Sequence, residues 1–365
     1  MRRSVYSIVF VVSIFALQAC SSSSLDKMIS FIDVGGSLAV TEKGLPANLI
    51  EIKKIVNIPL TDSTLLKYSV LDELNRDDAI ISSDTRVLLI DMEKSEVLLS
   101  LSRQGNGPQE YLEVGHVSAN WEKQELYVFD IQKRHANVYS FKGDFLRAIR
   151  PPGDPCGEVT SFGDVLVWGM MSHGESIPWL YITDEEGHRV DSSKSMAPVT
   201  KSFMSFSPGL VKNGLDLLFQ TFNSDTLFKI SEEKITPVII LSRGKKKMPL
   251  EYYSSYDLYY RYGDEYIVFG PCVVSEDLLF LEYDYHKTHY LDIWSMVSGQ
   301  LVARRTLQRP GDLKGFPIVF EGETRYFWPN LTNGNYLVGL DSTKEDSIEL
   351  IVAEKTHLKG INENE

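Results

Sequence analysis

One segment concentrates residue types that suit ligand binding: residues 242–266 hold three consecutive lysines and seven tyrosines. The tyrosines are Tyr252, Tyr253, Tyr256, Tyr259, Tyr260, Tyr262 and Tyr266. A tyrosine offers a flat apolar face and a hydroxyl group, which suits sugars and peptides at a wet surface. On a helix, positions 252, 256, 259 and 260 would share one side. The segment is therefore either a binding surface or an aromatic stripe that packs the insertion onto the protein.

The sequence contains few groupings that could perform catalysis or hold a metal. His286 and His289 are the one close pair among seven histidines, and positions three apart on a strand point to opposite faces. The run Asp184 to Gly187 lacks the alternating oxygen ligands of a calcium loop, so it predicts a solvated hairpin turn. Neither Gly-x-Ser-x-Gly nor Cys-x-x-Cys occurs. We therefore expect no metal, no cofactor and no catalytic residue.

The N-terminus has the pattern of a bacterial lipoprotein signal. Two early arginines precede a short apolar stretch, which ends at Leu17-Gln18-Ala19-Cys20. That tetrapeptide resembles a lipobox, in which the cysteine is acylated and becomes the new N-terminus. We expect residues 1–19 to be a cleaved signal peptide, Cys20 to carry the lipid, and residues 20–47 to form a flexible tether. An ordinary signal peptide with a chance cysteine is the alternative.

These features predict a protein of the cell envelope that is anchored to the outer membrane through Cys20. They leave open whether the protein faces the periplasm or the cell surface. The chain is acidic, with a formal net charge of −13. Because nucleic-acid binding depends on neutralising phosphates with basic side chains, this composition argues against a nucleic-acid partner. It argues equally against electrostatic docking on anionic lipid.

Two cysteines, Cys156 and Cys272, remain once Cys20 is acylated. An oxidising envelope would allow a disulfide bond between them, but a sequence does not fix the distance between their Cα atoms. Two separate buried thiols is the favoured interpretation, and a disulfide bond is the alternative.

A short apolar unit recurs six times, and each copy precedes a polar turn and a second β-rich segment. The six copies begin at Leu88, Tyr127, Leu166, Leu217, Leu278 and Tyr336. The first three are equally spaced, and a repeat of about 40 residues made of antiparallel strands is typical of a propeller blade. The sequence therefore predicts an all-β fold, a six-bladed β-propeller over residues 48–365 with an insertion at residues 242–266.

The segment Leu49 to Leu60 reads as a strand without a partner in its own repeat. A strand from one terminus commonly completes the blade formed by the other terminus in closed propellers. We therefore expect this strand to lie beside Tyr336 to Lys355 and to close the ring. A β-sandwich or a pair of smaller domains is the alternative, which explains the strands but not the equal spacing. One helix-like stretch occurs, from Leu250 to Tyr262.

The loop Arg103-Gln104-Gly105-Asn106-Gly107-Pro108-Gln109-Glu110-Tyr111 carries a family resemblance. It resembles the Gly-x-Gly-Pro-x-Glu-Tyr loop of the TolB-like six-bladed β-propeller lipoproteins common in the Bacteroidetes. Three other segments are similar to the same family: Phe222 to Phe228, Arg243 to Pro249, and Phe327 to Pro329. The resemblance implies a propeller in the cell envelope, in a family whose function is largely uncharacterised. Ser224 departs from the commonest Asn-Asp-Thr turn of that family.

The favoured function is a non-enzymatic binding or interaction scaffold for a glycan, a peptide or a partner protein. Loops that lead into inner strands gather at one mouth of a propeller channel, and there we expect a shared cleft. Arginine and aromatic side chains dominate binding energy at interfaces, so the residues expected to border the cleft are Arg103, Tyr111, Arg150, Tyr256 and Tyr260. The alternative is a propeller enzyme, a lyase or hydrolase, whose histidines and carboxylates cluster at the channel mouth.

Overall fold

The computed structural model describes residues 30–64, 66, 68–153, 156–170, 180–192, 209–213, 216–220, 224–231, 235–308, 311–334, 336–341 and 346–356. The predicted signal peptide and the predicted lipidation site, Cys20, lie outside the described residues. Within the described part of the chain, no helix is long and apolar enough to cross a membrane.

The described chain begins with two strands that join sheets formed much later in the sequence. These are β1 (Ser30–Asp33) and β2 (Ile50–Pro59), with a short 3-10 helix at Gly36–Ala39 between them. β2 alternates buried and exposed residues at most positions, because its apolar side chains recur with period two. The predicted tether over residues 20–47 is therefore too long, since β1 is already part of a sheet.

Three four-stranded antiparallel sheets follow in chain order. The first contains β3 (Val70–Leu74), β4 (Asp78–Ser82), β5 (Val87–Asp91) and β6 (Glu96–Leu101); the second contains β7 (Val114–Asn120), β8 (Glu125–Asp130), β9 (His135–Ser140) and β10 (Phe145–Ile149); the third contains β11 (Cys156–Phe162), β12 (Val165–Met170), β13 (Leu180–Thr183) and β14 (Arg189–Ser192). The third strand of the first sheet is buried along its whole length, whereas the fourth is mostly exposed or half-buried. This contrast is expected where neighbouring sheets cover the middle strands on both faces.

The remaining strands are interrupted once by helical structure. They are β15 (Gly209–Asn213), β16 (Asp216–Gln220), β17 (Thr226–Ile230), β18 (Ile235–Ser242), β19 (Val268–Ser275), β20 (Leu278–Tyr285), β21 (Thr288–Ser295), β22 (Leu301–Leu307), β23 (Phe316–Phe320), β24 (Glu323–Phe327), β25 (Leu331–Thr332), β26 (Leu337–Asp341) and β27 (Ser347–Lys355). Between β18 and β19 lie helix α1 (Tyr256–Tyr262) and 3-10 segments at Gly244–Lys246, Leu250–Ser254 and Gly263–Glu265.

Pairing between distant strands links the two ends of the chain. β2 pairs with β27 in antiparallel register from Ile50 opposite Lys355 to Pro59 opposite Ser347. The predicted position of the N-terminal strand beside the last strand is thus confirmed. β1 adds to the outer edge of β18 in parallel, and a single pair, Asn213 opposite Thr332, joins β15 to β25.

The hydrophobic core consists of clusters that each join two successive sheets. Tyr139 of the second sheet packs with Leu89 of the first, and Trp168 of the third packs with Phe129 of the second. Similar clusters join the third sheet to β16, the β15–β18 sheet to the β19–β22 sheet, and that sheet to β26 and β27. A last cluster returns from β27 to the first sheet, where Leu350 packs with Ile81. Each fully buried large side chain contributes about 1.5–3 kcal/mol.

The first copy of the repeat was matched to the wrong strand of its sheet. The copies that begin at Tyr127 and Leu166 lie in β8 and β12, the second strands of their sheets. The copy at Leu88 instead lies in β5, a third strand, and the matching second strand is β4. The equal spacing of the first three copies is therefore a coincidence of loop length, although the succession of small sheets was predicted correctly.

Candidate functional site

The Gly-Pro-Glu loop, residues 103–111, is a compact connection between the first two sheets. The carboxylate of Glu110 turns back into the loop and accepts a hydrogen bond from the main-chain N–H of Gly107 at 2.8 Å. A Cβ atom on Gly105 would lie 2.0 Å from Oε2 of Glu110. Neither glycine has positive φ, so Gly105 is required by the close approach of the carboxylate and not by its backbone angles.

Side chains from the second sheet hold this loop from outside. The ammonium of Lys133 donates to the carbonyl oxygens of Gly105, Gly107 and Glu110 at 3.2, 3.0 and 2.7 Å. The hydroxyl of Tyr139 donates to the carbonyl of Gln109 at 2.9 Å. The main-chain oxygens of the loop are thus occupied by neighbouring side chains, which indicates a structural connection.

Tyr111 was predicted to face a ligand, and this prediction is wrong. Its side chain is fully buried. Its hydroxyl accepts from the main-chain N–H of Arg103 at 3.1 Å and lies 2.9 Å from the carbonyl oxygen of Thr85. Burial raises the pKa of Tyr111, so the hydroxyl stays neutral and joins the chain just after β6 to the turn between β4 and β5. Arg103 is half-buried, and Arg150 is exposed.

The tyrosine-rich insertion is divided at Ser255 into a packed part and an exposed part. Ser255 is extended, and its hydroxyl caps α1 by accepting from the N–H of Leu258 at 3.4 Å. The predicted single helix therefore begins only at Tyr256. Tyr253, before the break, is buried, whereas Tyr256 and Tyr260 are 54% and 74% exposed. Their rings are stacked with centroids 6.0 Å apart and planes 9° apart.

A cleft of about 540 Å³ lies between this insertion and the β19–β22 sheet. Its lining residues are Tyr259, Tyr260, Gly263, Asp264, Tyr266, Val268, Asp284, Tyr285, Lys287, His289, Leu307, Gln308 and Asp312. Aromatic walls and a few convergent polar groups are the features of a small-molecule site.

The polar side of this cleft is centred on His289. This residue is half-buried on β21, and its Nδ1 lies 2.9 Å from Oδ1 of Asp284. Its Nε2 lies 3.3 Å from Oε2 of Glu282. Hydrogen bonds to Asp284 and Glu282 raise the pKa of His289 to about 9. The cleft therefore presents a protonated imidazole between two carboxylates at neutral pH.

A second polar region, which the sequence analysis missed, runs along the first strands of the first three sheets. Asp72, His116 and Glu158 are half-buried and lie in β3, β7 and β11, the first strands of three successive sheets. Oδ1 of Asp72 lies 3.3 Å from the N–H of Val117 beside His116. Burial raises the pKa of Asp72 to about 7 and that of Glu158 to about 8, and it lowers the pKa of His116 to about 4.

A repeated sequence signal could have found two of these residues. His116 and Glu158 each follow a glycine at which the strand register shifts, in the runs Val114-Gly115-His116-Val117 and Cys156-Gly157-Glu158-Val159. A polar residue directly after such a bulge has its side chain redirected relative to the regular pleat. Read separately, each run looks like an ordinary strand with one polar residue.

The comparisons with known proteins place the chain in a family. Residues 39–364 match the family model described as "Domain of unknown function (DUF4934)". The chain belongs to this family. A search of the curated proteins finds no match.

Two solved structures share the fold of the DUF4934 chain. A protein of Bacteroides fragilis NCTC 9343, provisionally described as exported, is 16% identical and superposes with a TM-score of 0.69, covering 90% of this chain and 100% of its own. A DUF4221 family member from Bacteroides vulgatus ATCC 8482 is 11% identical with a TM-score of 0.52, covering 85% of this chain and 99% of its own. At these identities the likeness concerns the fold.

The structure of the DUF4934 chain does not bring all five predicted binding residues to one surface. Tyr260 lines the cleft, and the ring of Tyr256 stacks on the ring of Tyr260. The residues that line this cleft do not include Arg103, Tyr111 or Arg150. The Gly-Pro-Glu loop makes its contacts with the first and second sheets instead. The cleft that was expected to be bordered by all five residues is therefore not formed; of the five, Tyr260 lines the cleft beside α1.

Two smaller expectations concern the hairpin at Asp184 and the cysteines. Ligand atoms of Asp184, Glu186 and His188 lie within 4.8 Å of one another. Asp184 also accepts from the N–H groups of Glu186 and His188, as a solvated turn requires.

Cys156 and Cys272 are both buried free thiols, which agrees with the favoured interpretation of two separate cysteines.

Proposed function

We propose that this protein is a lipid-anchored envelope protein whose six-bladed β-propeller, similar to the TolB-like propellers, binds a glycan in the cleft beside α1. The proposed lipid is attached to Cys20 after removal of residues 1–19, at the outer membrane. The provisional description of the B. fragilis structural relative as exported supports this location. The binding is proposed to be non-enzymatic.

The packing of the sheets supports a closed ring of six blades. Hydrophobic clusters join each sheet to the next and then return from β27 to the first sheet. First strands of neighbouring sheets also contact one another, as in β3 with β7, β7 with β11, β19 with β25, and β25 with β3. In this arrangement β2, from the other end of the chain, pairs along β27 and completes the sixth blade.

The stacked, exposed pair Tyr256 and Tyr260 at the cleft is the observation that carries the proposed ligand class. Exposing two large aromatic rings side by side has a cost in water unless a partner covers them. A pyranose ring has an apolar C–H face that fits an aromatic ring and hydroxyl groups at its rim. Asp284, Gln308 and the cationic His289 line the same cleft and offer acceptors and donors to those hydroxyl groups.

The test is a glycan array probed with the mature protein, followed by calorimetry with the best oligosaccharide. Replacing both tyrosines, Tyr256→Ala with Tyr260→Ala, should weaken that interaction by about 1–3 kcal/mol, or roughly 5- to 150-fold. The control is Tyr68→Ala, which removes an 83% exposed tyrosine from outside the lining of the cleft. An unchanged dissociation constant in the double variant would contradict the proposal.

A second candidate, a lyase or hydrolase, is favoured by one observation. His116 and Glu158 lie at matching positions of neighbouring first strands. Because its pKa is about 8, the Glu158 carboxyl group is protonated at pH 7 and suits a general acid. The imidazole of His116 is neutral at pH 7 but, with a pKa of about 4, it is a weak base. Turnover of an array ligand that disappears in Glu158→Gln but persists in the double tyrosine variant would favour this enzyme over the binding protein.

A further inference from the structure

A larger cavity, of about 970 Å³, opens where the first strands of several sheets end. Its walls include residues from the ends of β3, β7 and β11, from β15 and from β25. Glu73, Asn120, Trp121, Lys212, Asp216 and Thr332 are among them. The cavity is separate from the tyrosine cleft, since the two share no lining residue among the described positions.

Glu73, which lines this cavity, carries a buried oxygen atom that has no hydrogen-bond partner in the described part of the chain. Its side chain is 2% exposed, and its Oε1 lies 2.6 Å from Nζ of Lys212. The hydroxyl of Ser118 also donates to Oε1, at 2.5 Å. Oε2, by contrast, has no hydrogen-bond partner among the residues that the structure describes. A buried carboxylate oxygen without a hydrogen bond destabilises the folded protein, so this oxygen is suited to accept a hydrogen bond from a ligand.

Around Glu73 there are more hydrogen-bond acceptors than donors free to pair with them. The ammonium of Lys212 already donates to Ser118 and to the carbonyl of Ala119, in addition to Glu73. Lys229 forms an ion pair with Asp216 at 2.9 Å. Oδ1 of Asn213, the residue that pairs with Thr332 of the cavity wall, is a second buried acceptor with no partner in the described part of the chain.

The side chains of the cavity wall carry more negative than positive charge. Glu73, Glu122, Asp164 and Asp216 contribute four carboxylates, against the two lysines Lys212 and Lys229. The half-buried ring of Trp121 adds an aromatic surface, and aromatic faces attract cations. A ligand that complements this wall carries positive charge and hydrogen-bond donors.

An organic ammonium group fits this wall better than a metal ion. A metal needs several ligand atoms converging on one point. In the described ranges, the acidic, histidine and cysteine groups that converge in this way are Asp184, Glu186 and His188, which do not line this cavity. An ammonium group can instead reach acceptors that are spread along a wall. We propose that the cavity binds a primary amine, whose ammonium group donates to Oε2 of Glu73.

The test is calorimetric titration of the mature protein with 1,4-diaminobutane, with tetramethylammonium and calcium chloride titrated in parallel. We expect the diamine to bind and tetramethylammonium, which has no N–H donor, to bind at least about tenfold more weakly. Calcium binding that displaces the diamine would assign the cavity to a metal ion and overturn the proposal. Absence of diamine binding to the unaltered protein would also overturn it.

Two variants locate the site. Glu73→Gln keeps the shape of the side chain but removes its charge, and it should weaken diamine binding at least about tenfold. Because Glu73→Gln also breaks the contact with Lys212, Trp121→Leu provides a second test that leaves that ion pair in place. It removes the aromatic surface of the wall and should weaken binding several-fold. Tyr260→Ala should leave diamine binding unchanged. Diamine affinity that is unaltered in both folded variants would place the amine elsewhere and contradict the proposal.

Discussion

The guanidinium of Arg304 lies 2.5 Å from Oδ2 of Asp292, and both side chains are fully buried. The same guanidinium donates to the carbonyl oxygens of Ser37 and Val40 at 2.8 and 2.7 Å, and to the hydroxyl of Tyr283 at 2.7 Å. Arg304 thus joins the segment that follows β1 to the β19–β22 sheet. A buried charge of this kind is tolerated because nearly every donor has a partner.

Arg304→Met should lower the free energy of unfolding by about 3–5 kcal/mol, because it leaves Asp292 buried without its counter-ion. Urea denaturation checks this value, and limited proteolysis should show faster cleavage between residues 34 and 43. The control is Arg261→Met, which removes an exposed arginine from α1 and should change stability by less than about 0.5 kcal/mol. Equal effects of the two substitutions would contradict the role of Arg304.

Gly105→Ala should destabilise the protein by about 1–3 kcal/mol, because the new Cβ displaces the Glu110 carboxylate from its hydrogen bond to Gly107. A double-mutant cycle with Glu110→Ala isolates this cause. Without the carboxylate, Gly105→Ala should cost little. Gly44→Ala is a matched control, since its Cβ meets nothing within 4 Å. A cost for Gly105→Ala that persists beside Glu110→Ala would show that another contact requires the glycine.

The sequence carried information on the strands and little on which polar residues meet. The apolar runs of β8, β12 and β20 are continuous because both of their faces are buried, so they could be recognised one at a time. Tyr111 was misassigned because an aromatic residue beside a glycine-rich loop has the same local pattern whether it is buried or exposed. Glu73 and Lys212 belong to different sheets, and no local pattern indicates that they would form an ion pair.

The thiols of Cys156 and Cys272 should be unreactive in the native protein and fully titratable after unfolding. Both are buried, and burial raises the pKa of Cys272 to about 12, so little thiolate is available. A thiol reagent added to a Cys20→Ala variant at pH 8 should label no cysteine in buffer and two per chain in denaturant. Labelling of none in denaturant without reductant would instead reveal a disulfide bond.

Glu158→Gln should stabilise the protein at high pH and leave it nearly unchanged at low pH. Burial raises the pKa of the Glu158 carboxyl from 4.5 to about 8, so between these values the folded chain holds a proton that the unfolded chain has lost. Stability contributed by this group is complete below pH 4.5 and declines as the pH rises through 8. A neutral glutamine does not have this dependence.

Denaturation curves at pH 5 and pH 9 measure the difference. Glu158→Gln should be more stable than the unaltered protein by about 1–3 kcal/mol at pH 9, the usual cost of burying a polar group without a full set of partners. At pH 5 the two proteins should differ little. Glu93→Gln, which changes an exposed carboxylate, should show no such trend. Burial lowers the pKa of His116 to about 4, so this residue makes the protein more stable as the pH rises from 4 to 6.5. Glu158→Gln must therefore be compared with the unaltered protein at each pH. A gap between them that stays constant from pH 5 to pH 9 would contradict the raised pKa of Glu158, because it would mean that this carboxyl group is ionised to the same extent in the folded and the unfolded protein throughout that range.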